Sequence, residues 1–150
     1  MENGTNDVGW RGFHHVAVVT RDLEETARFY GDVLGMSVGD LIESDARGNV
    51  SRHRFIRPGA GESWGLHFFE SPDAEPNVLV GKTDHGSLMG TTGVQHIAFA
   101  LPDAEAGLAL IERLKSQGVE TTGVSGAGPI NNTLFFDNNG LLLEATWPKP

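Results

Sequence analysis

From position 13 to 19 the chain reads FHHVAVV, apolar and largely β-branched apart from two histidines, which predicts a strand. Asp22 follows as a helix N-cap, with Glu25 three residues on in a capping-box pattern. Leu23, Ala27, Tyr30 and Leu34 then recur at i, i+4, i+7 and i+11, one face of an amphipathic helix that Gly35 closes. Three more strands are predicted at 36–42, 49–56 and 63–70, with turns at 45–48 and 58–61. The stretch 71–92 is rich in Pro, Gly, Asp and Thr and reads as a connection. Beyond it the order returns: a strand at 94–101, a cap at Asp103, and a helix burying Leu108, Ile111 and Leu114 that Gly118 closes. Strands at 119–124, 133–137 and 141–146 complete the pattern, the last two joined by the hairpin signal Asn138-Asn139-Gly140.

The return is visible in the letters themselves. FHHVAVVTRDLE (13–24) lies on VQHIAFALPDAE (94–105) without a gap, at a constant offset of 81 (94 minus 13). His15 falls on His96, Ala17 on Ala98, Asp22 on Asp103 and Glu24 on Glu105. A fixed offset means two copies of one structural unit. The organisation expected is therefore a loose tail at 1–9, a βαβββ module at 10–70, a connecting loop at 71–92 and a second βαβββ module at 93–150. Together they make one α+β structural domain.

Alternate residues of a strand share a face, so His15 lies with Ala17 and Val19, and His96 with Ala98 and Ala100. The final strands carry a second equivalence. Aligning Leu66 with Leu143 puts His67 on Glu144. Each module thus offers a histidine on its first strand and a His or Glu on its last. A single strand histidine is ordinarily a hydrogen-bonded structural residue, and Glu144 alone could be an edge residue. The matched positions of all four, each beside apolar neighbours, argue for a divalent-metal site built from His15, His67, His96 and Glu144. Imidazole and carboxylate donors suit Fe(II), Mn(II), Zn(II), Ni(II) or Co(II) and leave positions open for a substrate.

Composition narrows the rest. The 150 residues carry a formal net charge of −9, which argues against a nucleic-acid partner. The chain contains no cysteine, which removes disulfides and thiolate ligands. No apolar run approaches a membrane span, and MENGTNDVGW lacks a signal peptide's hydrophobic region, so a soluble cytoplasmic protein is expected.

The run from His15 to Met36, HVAVVTRDLEETARFYGDVLGM, resembles the opening of the vicinal oxygen chelate superfamily, and FFDNNGLLLE (135–144) resembles its close. That superfamily includes glyoxalase I, bleomycin-resistance proteins, fosfomycin-resistance enzymes, methylmalonyl-CoA epimerase and extradiol dioxygenases. The resemblance, which covers 13–147, implies two modules whose curved mixed sheets form a cleft around one metal. It also implies that His15, His96 and Glu144 match a two-histidine, one-carboxylate triad. His67 stands where glyoxalase I members usually carry Glu and epimerases Gln, which tells against glutathione-dependent glyoxalase activity; His67 remains a fourth ligand or a general base. Ring-cleaving members add a tyrosine and a further histidine near the metal, but Tyr30, the one tyrosine, reads as core.

Two function classes follow. One is a metal-dependent enzyme chelating vicinal oxygens of a small-molecule substrate, with dioxygenase-like or lyase/isomerase chemistry in which His67 or Glu144 acts catalytically. The other is a non-catalytic drug- or metabolite-binding resistance protein. Members frequently form homodimers, and a swapped dimer would bring His15 of one chain beside His96 of another. His14, His53 and His85 read as surface or structural. The arginines of 52–57 read as a solvated strand face or an anion clamp, and Phe55, Phe69, Phe99 and Phe135 as core or pocket lining. Lys82 and His85 in the connection have only their position to suggest a lid.

Overall fold

The computed structural model describes residues 13–46, 49–59, 65–75 and 93–150. The first half runs β1 (His15–Thr20), α1 (Leu23–Arg28), β2 (Ser37–Val38), β3 (Ile42–Ala46), β4 (Asn49–Arg57) and β5 (Gly65–Glu70). The second runs β6 (Ile97–Ala100), α2 (Ala104–Ser116), β7 (Ser125–Ala127), β8 (Ile130–Phe136) and β9 (Leu142–Pro148). Each half forms its own mixed sheet. The orders are β1-β5-β4-β2, with β3 also on β4, and β6-β9-β8-β7. In both, the first strand pairs parallel with the last, and the remaining pairs are antiparallel. The fold is α+β, and the repeat seen in the letters is a repeat of topology.

Both predicted caps form. The Asp22 carboxylate accepts from the amides of Glu24 and Glu25, and the Asp103 carboxylate from that of Ala106. Gly35 and Gly118, both at φ 74°, end the two helical segments. The helix faces differ in detail from the prediction. In the first, Leu23, Thr26 and Tyr30 are wholly buried, while Ala27 is half-buried. The helix widens after Arg28 into a π turn over Phe29–Val33, with Leu34 N bonded to Phe29 O. In α2 the buried positions are Gly107, Ile111 and Leu114, and Leu108 is exposed. The reason is steric: a Cβ at Gly107 would lie 2.6 Å from the Trp147 indole, so only glycine lets this buried ring lie against the helix.

Three predicted strands are redrawn. Within the run 36–42, Ser37 and Val38 pair with β4 and Gly39 N still bonds Phe55 O; the chain then leaves and returns to β4 at Ile42 as β3. The predicted turn at 45–48 therefore begins inside a strand, and positions 47–48 lie outside the described residues. Positions 119–124 form no strand, because Gly118 and Gly123 both take positive φ; one rung, Thr122 N to Leu134 O, ties the segment to β8. The strand predicted at 94–101 starts at Ile97, which leaves His96 just ahead of it. Residues 1–12 and 76–92, with Lys82 and His85, lie outside the described residues. Among the described residues no helix is long and apolar enough to cross a membrane.

One hydrophobic cluster joins the halves. Leu23, Tyr30, Ile56, Leu66 and Phe68 pack with Leu114, Phe135, Leu143 and Ala145. Val16 and Val18 of β1 and Ile97 and Phe99 of β6 lean on the same cluster. Polar ties reinforce it from the predicted hairpin turn. Tyr30 Oη donates to Asp137 Oδ2 at 2.8 Å. Asn138 Nδ2 donates to Thr26 Oγ1 at 2.9 Å, and Thr20 Oγ1 donates to Asn139 Oδ1 at 2.8 Å. Burial pushes both the Tyr30 hydroxyl and the Asp137 carboxyl above their ordinary ranges.

Removing the Tyr30 hydroxyl strands one oxygen of buried Asp137. Tyr30→Phe should destabilise the chain by about 1–3 kcal/mol, the cost of an unsatisfied buried acceptor, read as a lower urea midpoint at unchanged slope. A midpoint shift near zero would mean that the clasp is not coupled to folding.

Candidate functional site

Strand parity decides which side chains meet. With Val16, Val18, Leu66, Phe68 and Ile56 in the shared core, the first sheet turns His15, Ala17, His67, Phe69, His53 and Phe55 to its other face. In the second sheet, Leu143 and Ala145 face the core, which sends Glu144 to the opposite side. The register matches between modules. Ala17 sits opposite His67, and Ala98, its repeat partner, sits opposite Glu144. The equivalence of His67 with Glu144 inferred from the letters is thus present in the strand pairing.

The face of the first sheet is a run of rings. His67 stacks on Phe55, with centroids 3.9 Å apart and planes 15° apart, and lies 4.2 Å from Phe69. His15 meets His67 edge-on at 5.3 Å and Phe55 at 5.7 Å. His53 is buried beside them, its Nδ1 2.7 Å from His67 Nε2 and its Nε2 3.3 Å from Ser44 Oγ. Exposed His14 extends the run, Nδ1 to Nδ1 of His15 at 2.9 Å. Burial first, then the charges His53 and His15 would carry, hold the His67 imidazole below its ordinary range.

The second sheet carries a tighter pair. His96 Nε2 lies 2.8 Å from Glu144 Oε2, and Glu144 Oε1 accepts from Asn132 Nδ2 at 2.6 Å. Ser125 Oγ donates to Asn132 Oδ1, which fixes the amide with its nitrogen toward the carboxylate. His96 Nδ1 lies 2.9 Å from Gln95 Oε1. A neutral His96 with its proton on Nδ1 has only a lone pair to present to Glu144. With the proton on Nε2 the ring donates to Glu144 Oε2 directly, so the pair can close as a hydrogen bond or hold a cation between its two lone pairs. Two donors each about 2.1 Å from one ion and at right angles would be about 3.0 Å apart, close to the observed separation.

The four predicted ligands therefore meet in two pairs, His15 with His67 and His96 with Glu144. Among the described residues no three of His, Asp and Glu come together closely enough to hold a metal. The arginine-rich strand is accounted for differently. Arg52 pairs with Glu24, Glu43 and Glu70, and Arg54 with Glu24, on the helix side and away from the histidines. Phe55 and Phe69 lie on the histidine face, whereas Phe99 and Phe135 are core. Two polar residues of the site escaped the sequence reading. Asn132 stands between Asn131 and Thr133 at the polar start of its strand, with nothing to mark it out, and His53 was indistinguishable from a structural histidine.

Comparison with known proteins places these features. The model of the Glyoxalase/Bleomycin resistance protein/Dioxygenase superfamily matches residues 12–145. The uncharacterized protein YwkD of Bacillus subtilis (strain 168) is 23% identical over 137 residues, covering 89% of this chain and 94% of the relative. The structure of a glyoxylase/bleomycin resistance protein/dioxygenase domain from Frankia sp. EAN1pec superposes with a TM-score of 0.68 at 19% identity, covering 93% of each chain. A variant of the fosfomycin resistance protein FosX from Listeria monocytogenes, complexed with Mn(II) and 1S,2S-dihydroxypropylphosphonic acid, gives a TM-score of 0.63 at 18% identity over 91% of each chain.

The lowered His67 value makes stability depend on pH. Its folded form favours the neutral ring, so its contribution is full above the ordinary imidazole value and is lost as pH falls through the lowered folded value. The thermal midpoint should drop on acidification below about pH 6.5, and the drop should be shallower in His67→Phe. Identical pH profiles for the two chains would show that His67 does not carry the effect.

Proposed function

This chain belongs to the glyoxalase/bleomycin resistance protein/dioxygenase superfamily, and from that premise we propose that it is a divalent-metal-dependent enzyme acting on a small substrate with neighbouring oxygen atoms. The observation that carries the reading is the His96–Glu144 pair, an imidazole nitrogen and a carboxylate oxygen 2.8 Å apart, a separation that suits two ligands of one cation. Asn132 and Gln95 hold the far atoms of both groups, the outer-shell arrangement that metal ligands require. The third ligand is His15, the repeat partner of His96. Because His15 lies with the other pair within this chain, the reading places the complete site between two protomers, with His15 from one and His96 and Glu144 from the other. The protein is accordingly a homodimer with two equivalent sites.

A bound divalent cation would supply Lewis-acid polarisation of substrate oxygens. The chain's own residues supply the rest. Glu144 contributes the single anion of the ligand set, and Asn132 keeps its second oxygen from swinging away. His67, kept neutral by burial beside His15, serves as the general base that takes a proton from the substrate. The lyase/isomerase version of the chemistry fits this donor set, since the one tyrosine is locked in the core clasp and out of reach of ring-cleavage chemistry.

Metal analysis of protein purified without chelator or nickel resin, then anaerobic reconstitution with Fe(II), Mn(II), Zn(II), Ni(II) and Co(II), tests the reading. Stoichiometric uptake should vanish in His15→Ala, His96→Ala and Glu144→Ala. Mixing His15→Ala and His96→Ala chains by joint refolding should restore about a quarter of the wild-type sites, because half the dimers are mixed and each carries one intact site. No restoration would place the site within one chain, and no metal in the wild type would leave a ligand-sequestering protein. In Asn132→Leu, metal affinity should fall about 10–100-fold with circular dichroism unchanged. Unaltered affinity would mean that the amide does not orient Glu144.

A further inference from the structure

We propose that His53 is a positioning residue that holds the His67 ring in a single tautomer, protonated on Nε2, so that Nδ1 is the lone pair His67 has left for chemistry. What His67 does with that lone pair rests on the function proposed above; the tautomer itself does not.

The two rings are diagonal neighbours on one face of the β4–β5 pair, with His53 opposite Phe69 and His67 opposite Phe55. Neither can swing. His67 is clamped flat on Phe55 and flanked by Phe69, and His53 stacks on Phe69 at 5.1 Å and 25°. Both are buried, at 9% and 8% exposure. Two nitrogens held 2.7 Å apart in that setting must share one hydrogen, with one ring donating and the other accepting.

The remaining partner sets the direction. His53 Nε2 lies 3.3 Å from Ser44 Oγ on β3. If His67 Nε2–H donates to His53 Nδ1, then His53 donates through Nε2–H to the serine, whose own proton is free to reach water from the partly exposed outer strand. If the chain ran the other way, His67 would carry its proton on Nδ1, where no partner accepts it among the described residues. A donor on a ring that is 8% exposed is harder to hydrate than one on the hydroxyl of a partly exposed strand. The first direction leaves the spare donor outside and a lone pair inside.

The test is a long-range 1H–15N correlation spectrum of the full 15N-labelled chain without added metal. His67 is assigned by the signals missing from His67→Gln. The expected wild-type pattern is a protonated Nε2 and an unprotonated Nδ1. In His53→Phe, which keeps the stack but offers no acceptor, the two nitrogen shifts should move toward each other as the tautomers mix. His53→Glu, an acceptor only, should restore the wild-type pattern, a recovery that a purely packing role would not produce. A proton on Nδ1 in the wild type overturns the proposal, and that readout stands even where His53→Phe fails to fold. An unchanged pattern in folded His53→Phe overturns it equally. Metal uptake, measured in parallel on the wild type, bears on the proposed function and not on the tautomer, so the two failures are distinct.

Discussion

The shared core between the modules constrains everything else. Tyr30 and Asp137, with Thr20, Thr26, Asn138 and Asn139 around them, tie the first helix to the last hairpin turn across the apolar cluster. The even-numbered side chains of β1 are committed to that core, so period-two alternation commits His15 and Ala17 to the far face. The same logic, with the parity inverted by the odd offset of the repeat, commits Ala98 and Glu144 away from Ile97, Phe99, Leu143 and Ala145. A slip of one residue in either sheet would bury a histidine or Glu144 among aliphatics and expose the core. Fold and chemistry thus rest on one register choice, made twice.

Glu144 shows how closely that choice is tied to its polar surroundings. A carboxylate buried in a strand between Leu143 and Ala145 is costly unless both oxygens are satisfied. Here one accepts from an amide held by Ser125, and the other faces His96. The second oxygen is satisfied by an Nε2–H of the imidazole or by a cation held between the two groups. The same pair can therefore be closed by a proton or, on the proposed reading, by a metal ion.

Much of this was legible in the letters because it depends on local rules applied in duplicate. The offset of 81 exposed the repeat, Asp22 and Asp103 marked both helix starts, and aligning Leu66 with Leu143 found the His67–Glu144 equivalence that the strand register reproduces. The misreadings came from contacts between elements. Leu108 has the right spacing for the buried face, but Trp147 arrives from β9 and selects Gly107 instead. The chain leaves β4 only after Gly39, whose amide still bonds Phe55 O of the neighbouring strand, and nothing local in the run marks that exit. His53 looked like any other strand histidine because its partner lies 14 positions away, on an adjacent strand. Nor could the letters show that His15, His67, His96 and Glu144 fall into two pairs, since this depends on how the sheets pack.

The divergence between the two copies carries its own argument. At equivalent positions one module holds His67 and the other Glu144, so the pseudo-symmetric halves are chemically complementary. One is a wall of imidazole and phenyl rings, and the other is an anion with an amide to hold it. On the proposed reading, two carboxylates at these positions would neutralise a divalent ion, whereas one carboxylate with histidines leaves net positive charge for substrate oxygens. The histidine that replaces the second acid then needs a defined tautomer to act as a base, and a carboxylate does not. A buried neighbour able to set that tautomer is what distinguishes this half of the repeat, and the second module has Leu134 at the register position where the first has Phe55. Imidazole chemistry on one side and carboxylate chemistry on the other therefore call for different supporting shells, His53 and Phe55 around His67 and Asn132 and Leu134 around Glu144.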